Sequence, residues 1–448
     1  MISKTPEGAS RAPLHRTRMA ELVVLLCTLV LVSTVWVETD LYRYVLIPLV
    51  AVGLTTYFLR QDFFPMIGPI GWACLLWPVH VALRYLWVEH IQPDSTGGSA
   101  EGVYMFTGAY LTVGYIFFLY RNRLQRLLLP FFVISLVTLL ATVQLSGMLD
   151  NENTRVEFLF HNNLIHASIG AGFILIAAFC HLLWLLDRRP RELPLYWQQL
   201  FLLLAVSLFA LLGIVVAASK GVWIALLAAL PLACFAVWTE TRGTTRLLLT
   251  VAGIVAILTM ALVFGARIEH LIGNEMASAW ALIVELFSGG PVREVVLNKI
   301  ESGALPSTFD ERMRIWWNAM SIWRLDWLFG QGIYWENLWE QTRFADIGFE
   351  LMHNSYLEIA IRFGIVGLIF YAILFGWCLY QMRRATIEGL VERKLYLFLM
   401  LSFVFFLVTM TSNSNIRLAI GESYMLVVGG FGFFAYYLRQ WSATQPSR

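Results

Sequence analysis

The chain has 448 residues, of which 58% are apolar and only 14% are charged. A typical soluble protein holds about 45–50% apolar and about 25% charged residues, so this composition excludes an ordinary soluble enzyme. The net charge of +2 and the lack of a basic tract give no indication of nucleic-acid binding. The five cysteines all lie in apolar segments, without the spacing of a disulfide framework or a zinc site.

The apolar residues occur in blocks that are long enough to cross a membrane. A spanning helix needs about 20 mostly apolar residues, and the segment 246–264 is one of several that come close to this length. We therefore predict an all-α polytopic membrane protein with about 12 transmembrane helices. The predicted spans are 20–37, 44–59, 65–87, 103–120, 127–148, 164–186, 198–217, 221–238, 246–264, 354–380, 395–411 and 417–438.

The basic residues alternate between the connections in a way that predicts sidedness. The N-terminal segment reads as a cytoplasmic tail, since no small-residue cleavage site follows its basic stretch. With that tail inside, the inside segments hold 19 basic residues and the short outside connections hold four. This bias follows the positive-inside rule and predicts that both termini are cytoplasmic.

One outside connection, 265–353, is far longer than the others, and loops of this length are usually functional or disordered. It divides the chain into an N-terminal transmembrane bundle (1–264), a long loop or cap (265–353) and C-terminal transmembrane helices (354–448). Apolar periodicity predicts short amphipathic helices within the loop, at 277–287, 293–300 and 312–329. Its tryptophans suit a membrane interface or the packing of a small cap: Trp316, Trp317, Trp323, Trp327, Trp335 and Trp339.

The segment 353–367 opens the tenth span directly after the loop. Ser355 and Glu358 have the spacing of a capping box, which would start the helix. Gly364 and Gly367 would allow close helix packing.

Two ionisable residues of this segment are not explained by the start of a helix. Arg362 would lie about 13 Å into the span and could pair with Glu358 one turn earlier. His353 would lie at the membrane boundary, where an imidazole suits a general base; a polar residue at a helix entry is an equally good interpretation.

Several cations lie on the outside, where positive charge is normally scarce. The candidates are Arg155, Lys220, Arg312 and Arg314. Such a group predicts an anionic ligand, and phosphate or pyrophosphate fits because guanidinium groups match its oxygens. Snorkelling to lipid headgroups is the alternative, and it is favoured for Arg43, Arg84 and Arg267.

Known motifs for metal or nucleotide chemistry are not found in the sequence. There is no Asp-x-Asp pair, Walker A motif, HExxH or GxSxG. We therefore expect no metal and no other cofactor in the reaction.

Four segments together resemble the O-antigen ligase/polymerase superfamily of bacterial envelope glycosyltransferases. His353-Asn354-Ser355-Tyr356-Leu357 with Gly364 and Gly367 resembles its H-N-x-x-L…G-x-x-G motif. Arg312 to Trp316 with Gly330-Gln331-Gly332 resembles its R-x-x-x-W…G-x-G segment. Ser219-Lys220-Gly221 resembles its S-R-G turn, although lysine replaces the usual arginine. Arg155 with His161-Asn162-Asn163 resembles an arginine and asparagine pair before a span.

The resemblance implies a multi-pass protein of the bacterial inner membrane with its active site at the periplasmic face. It implies transfer of a glycan from undecaprenyl pyrophosphate to a hydroxyl of the lipid A–core oligosaccharide. His353 would be the general base and Arg312 would assist catalysis, while Arg155, Lys220, Arg314, Asn354 and Arg362 would bind pyrophosphate. The partners would be the lipid-linked donor, the lipid A–core acceptor and membrane lipids.

Other functions remain open at this point. A polysaccharide polymerase or a protein O-oligosaccharyltransferase of the same superfamily would carry similar motifs. A lipid-linked glycan transporter is a more distant alternative, because it would need charged residues through the depth of the membrane.

Overall fold

A computed structural model describes residues 18–59, 65–91, 101–143, 157–188, 195–289, 291–347 and 351–445, and these form helices and turns without a strand. The main helices are α1 (Arg18–Leu31), α2 (Leu41–Leu59), α3 (Pro69–Ile91), α4 (Ala109–Leu119), α5 (Leu128–Thr142), α6 (Leu164–Leu186), α7 (Tyr196–Ala217), α8 (Lys220–Glu240), α9 (Gly243–Phe287), α10 (Val292–Glu301), α11 (Ser307–Trp323), α12 (Trp335–Trp339), α13 (Ser355–Ile387), α14 (Arg393–Thr409) and α15 (Ala419–Ala443).

The predicted fold class, an all-α polytopic membrane protein, is confirmed. A helix occupies each predicted span in the described part of the chain, and eight helices are long and apolar enough to cross a membrane. Large apolar side chains such as Phe201, Leu227 and Leu247 point outwards and are more than half exposed. An apolar surface of this extent suits contact with lipid.

Small residues allow the central helices to approach closely. α4 packs against α15. A Cβ atom added at Gly114 would lie 2.5 Å from the Cβ of Phe433, and one added at Gly430 would lie 2.5 Å from Cγ1 of Val113. Small residues at such contacts are typical of membrane helix pairs, where packing drives association.

The first part of the long loop differs from the prediction. The predicted ninth span and the predicted amphipathic helix at 277–287 form one continuous helix, α9, of 45 residues. No proline interrupts it, and the boundary expected at 264/265 falls inside the helix. At 1.5 Å per residue α9 is about 68 Å long, roughly twice the thickness of the hydrocarbon core of a bilayer. The other two predicted loop helices are present as α10 and α11.

The rest of the loop forms a small cap with its own apolar core. Trp335 and Trp339 are buried there against Ile315, Met352 and Ile361. The interpretation of these two tryptophans as interface residues is therefore wrong, because their rings fill the inside of the cap.

α13 is kinked at Gly364, and the cap is joined to it there. Gly364 has φ +60° and ψ −157°, which breaks the helical hydrogen bond between the Ile365 amide and the Ile361 carbonyl. The Ile365 amide instead donates to the carbonyl of Trp327 (2.9 Å), and the Ile361 carbonyl accepts from the amide of Gln331 (2.6 Å). The close packing predicted for Gly364 is thus only part of its role. Its conformation also frees main-chain groups of α13 to form hydrogen bonds with the cap.

Candidate active site

A pocket of about 120 Å³ lies where three helices begin. Its wall includes the first residues of α6, α8 and α11, together with Ser412 from the turn after α14. Helix N-termini carry partial positive charge, so three such ends favour an anion. At α6 the amide of Ile165 already donates to Oδ1 of Asn163 (2.8 Å). The basic side chains of Lys220 and Arg312 line the same pocket.

Close packing holds Lys220 at this wall. Ala218 adopts a left-handed conformation (φ +49°) that ends α7, and α8 starts two residues later at Lys220. A Cβ atom at Gly221 would lie 2.0 Å from Oγ of Ser412, so glycine lets α8 reach the turn after α14. The predicted tight turn between the seventh and eighth spans is confirmed.

The spacing of Arg312 and Trp316 has a structural explanation. Residues four apart lie on the same face of a helix, and this face of α11 turns towards the segment before α13. Trp316 donates its indole N–H to the carbonyl of Met352 (3.0 Å). Arg312, one turn earlier, lies in the pocket. The R-x-x-x-W motif therefore combines a cation with an anchor for the residue that precedes His353.

His353 is half-buried and held in an unusual backbone conformation, with φ +49°. Non-glycine residues rarely adopt this region, and they concentrate at functional sites. Its Nδ1 atom is buried and has no hydrogen-bond partner among the described residues. Burial lowers the pKa of His353, and the nearby charge of Arg312 lowers it further, against smaller opposing effects of Glu311 and Glu358. Both effects favour the neutral form of the imidazole, which is the form that a general base requires.

The start of α13 corrects the predicted capping box. Asn354 is the N-cap, and its side-chain oxygen accepts from the amides of Tyr356 (3.0 Å) and Leu357 (3.2 Å). Ser355 instead donates to the carbonyl of Asn413 (2.8 Å). The prediction that Asn354 binds pyrophosphate stays a prediction, because its oxygen is engaged in capping the helix.

Arg362 lies in a buried ion-pair network. The predicted pair is confirmed, with Nη1 2.5 Å from Oε2 of Glu358. Its Nε donates to Glu101 (3.0 Å), and its guanidinium lies 5.0 Å from the centre of the Trp335 ring. Only 1% of Arg362 is exposed. The guanidinium thus engages two carboxylates, and its predicted contact with pyrophosphate stays a prediction.

Arg314 is placed differently from these residues. Arg314 lies on another face of α11 from Arg312, where its Nε donates to Asp310 (2.8 Å) and its guanidinium packs over the ring of Phe344 (5.2 Å). Arg155 lies outside the described residues. The structure thus brings Arg312, Lys220 and His353 into one region and directs Arg314 elsewhere.

Several residues of this region are not predicted by the sequence patterns described above. Glu101 is 261 positions away from its partner Arg362, and Thr308, Phe309 and Ser412 are ordinary pocket-lining residues without a motif. A partial signal existed for Glu101, since an acidic residue at the edge of a predicted span needs a partner.

Comparison with known proteins adds one finding. Residues 205–372 match a family model described as O-antigen ligase. The matched segment covers a little over a third of the chain and includes Lys220, Arg312, His353 and Arg362. It confirms the resemblance to that family. No curated protein matches the chain.

Proposed function

We propose that this protein transfers O-antigen polysaccharide from undecaprenyl pyrophosphate to a hydroxyl of the lipid A–core oligosaccharide, at the periplasmic face of the bacterial inner membrane. The observation that carries this proposal is the pocket in which Arg312 and Lys220 meet the N-termini of three helices, next to His353. The match to the O-antigen ligase family supports the same class of reaction.

The charges of this region support an inverting transfer. His353 takes the proton of the acceptor hydroxyl through its neutral imidazole. The acceptor oxygen then attacks the anomeric carbon from the face opposite the pyrophosphate, and the bond from that carbon to the phosphate oxygen breaks with inversion. Arg312 and Lys220 stabilise the negative charge that develops on the departing undecaprenyl pyrophosphate. This leaving group needs neither a nucleotide nor a metal ion.

The family match leaves three acceptors to be separated, and one assay can do this. Purified protein in nanodiscs would receive lipid-linked O-antigen with lipid A–core, with a second lipid-linked glycan, or with a serine-containing acceptor protein. No metal or nucleotide would be added. We expect product only with lipid A–core. Product with the second glycan alone would identify a polymerase, and product with the protein alone would identify an oligosaccharyltransferase.

The same assay tests the base. We expect His353→Ala to abolish transfer, because alanine cannot take the proton of the acceptor hydroxyl. His90→Ala is the matched control, since His90 is an exposed histidine at the end of α3. Normal transfer by a correctly folded His353→Ala protein would contradict the role of His353.

A further inference from the structure

A second cluster of polar side chains lies at the N-terminal end of α6, the end that contributes to the wall of the pocket. It consists of Glu38, from the segment between α1 and α2, and of His161 and His166, which flank the start of α6. One ligand atom from each lies within 4.8 Å of the other two. This cluster takes no part in the proposed transfer reaction.

Both histidines of this cluster are buried, and the ring nitrogens of His161 are poorly satisfied. His161 is 4% exposed. Its ring nitrogens make no side-chain hydrogen bond with the residues that the structure describes, and they face the backbone of Thr34 and Val35. A buried polar group without a partner is costly and calls for an explanation such as a bound ion. Nδ1 of His166 lies 3.4 Å from Oε1 of Glu38.

The distances suit a transition-metal ion. Zinc binds imidazole nitrogen and carboxylate oxygen at about 2.0–2.2 Å, usually with tetrahedral geometry. Two ligands of such an ion are therefore about 3.3–3.6 Å apart, which the His166–Glu38 pair already satisfies. A His161 nitrogen lies within 4.8 Å of the other two ligand atoms and would have to move closer to complete the set. Glu38, which is exposed, would leave a path for entry and a position for water.

The surroundings also support the three side chains. The amide of Asn162 donates to Oε2 of Glu38 (3.3 Å), and the amide of Glu38 donates to the carbonyl of Phe160 (3.3 Å). The backbone of Thr34 and Val35 lies beside the ring of His161. Metal ligands are commonly held by such outer contacts. Leu159 and Phe160 have φ values of +55° and +44°, so a strained backbone leads into His161.

We propose that Glu38, His161 and His166 form a binding site for a divalent transition-metal ion of the zinc class. Two imidazoles favour such ions over Mg²⁺ and Ca²⁺, which prefer oxygen ligands. The ion would tie the segment after α1 to the start of α6, whose Ile165 lines the pocket. Its role is to hold that wall in place, and it does not act on the sugar or the pyrophosphate.

The experiment is a titration of chelator-treated full-length protein in detergent with ZnCl₂, against a chromophoric chelator. We expect one bound ion per chain and a rise in melting temperature, because an ion that binds only the folded state stabilises it. His161→Ala should weaken binding by at least about tenfold. MgCl₂ should produce no shift. Titration with CoCl₂ should give the visible absorption of a tetrahedral Co²⁺ site.

Two further variants keep the test decisive. His181→Ala is the matched control, because His181 is a buried histidine about four turns further along α6 and should leave binding unchanged. Glu38→Gln changes an exposed side chain and reports on the site even if His161→Ala fails to fold. Equal zinc binding by the wild type and Glu38→Gln, or no zinc binding by the wild type, would overturn the proposal. Loss of zinc binding by Glu38→Gln would support the site. Because the ion takes no part in the chemistry of transfer, this result is independent of the transferase proposal.

Discussion

His353 shows how a single residue combines strain and chemistry. Its left-handed backbone lies between the Met352 carbonyl, fixed by Trp316, and the cap residue Asn354. Contacts on both sides thus hold a conformation that costs of the order of 1–3 kcal/mol. An imidazole on an exposed, flexible loop would not be held in one orientation by such contacts. This arrangement favours the catalytic interpretation of His353 over that of a polar helix-entry residue.

The charge of Arg312 predicts a pH effect at this residue. Burial and Arg312 lower the pKa of His353 below its usual value of 6.5, so the neutral base persists as the pH falls below that value. Activity should therefore decline on the acid side only as the pH passes through the lowered pKa. Removing the positive charge with Arg312→Gln should raise this pKa and shift the acid limb to higher pH.

The measurement is the pH profile of kcat/KM for wild type and Arg312→Gln. Arg312→Gln should also lower the maximal rate, but the position of the acid limb is independent of that loss. Arg324→Gln is the control, since Arg324 is an exposed arginine just after α11. An acid limb that stays in place in Arg312→Gln would show that Arg312 does not set the pKa of the base.

In α11 the helical repeat determines which arginine faces the proposed site. One face carries Arg312 and Trp316 towards the proposed site, while Arg314 pairs with Asp310 on another. Sequence spacing alone does not show which way each side chain faces, so both arginines were expected at the proposed site. The helical repeat of 3.6 residues separates positions 312 and 314 by about 200°.

Trp316→Phe tests the anchoring role of this helix. Phenylalanine keeps the ring but loses the hydrogen bond to Met352, which is worth about 0.5–1.5 kcal/mol. If all of this energy positions His353, kcat should fall about two- to twelvefold with little change in KM. Steady-state kinetics measure this split. Trp317→Phe, on a neighbouring face, should retain wild-type kcat; an equal loss in both variants would argue for general destabilisation.

The kink in α13 predicts a stability effect at the level of the element. Alanine at position 364 would place Cβ 2.2 Å from the carbonyl oxygen of Leu328, in a backbone conformation that only glycine adopts readily. Gly364→Ala should cost at least about 1–3 kcal/mol and lower the melting temperature in detergent. In the same helix Gly376 has open space around it, so Gly376→Ala should melt like wild type. Identical melting of both variants would show that the kink is not required.

At the scale of the whole molecule, the buried network of Arg362 joins distant parts of the chain. Glu101 precedes α4, Glu358 and Arg362 lie in α13, and Trp335 belongs to the cap. Ser414, in the turn before α15, donates to Glu358 (2.8 Å). Four regions therefore depend on one set of charges that water does not reach.

Glu101→Gln should destabilise the whole protein. Removing one partner of a buried ion pair typically costs about 3–5 kcal/mol, because the other charge stays buried. Thermal unfolding in detergent, followed by tryptophan fluorescence, measures the loss. The exposed Glu89 provides the control Glu89→Gln, which should have little effect. A wild-type melting temperature for Glu101→Gln would mean that Glu358 alone balances Arg362.

Much of this architecture could be predicted from local patterns. Apolar blocks predict the helices, and the i, i+4 spacing of Glu358 and Arg362 predicts their pair. The partner Glu101 could not be identified, because contacts between distant segments leave no periodic trace in one sequence. The continuous α9 was missed because an outside loop was assumed to begin where the apolar block ends. Asn354 and Ser355 are both good capping residues, and only the packing of Ser355 against Asn413 decides between them.

The junction between the cap and α13 also bears on how this surface can change over evolution. It is made by main-chain groups of residues 327–331. It therefore depends little on side chains there except at Gly330, where a Cβ atom would lie 2.5 Å from the carbonyl carbon of Arg362. Trp327, Leu328 and Phe329 point outwards and are 37–58% exposed. Mutations at these positions can accumulate without loosening the junction. Descendants could therefore acquire contacts to different lipids or glycans while the buried ion pairs of Arg362 keep their geometry.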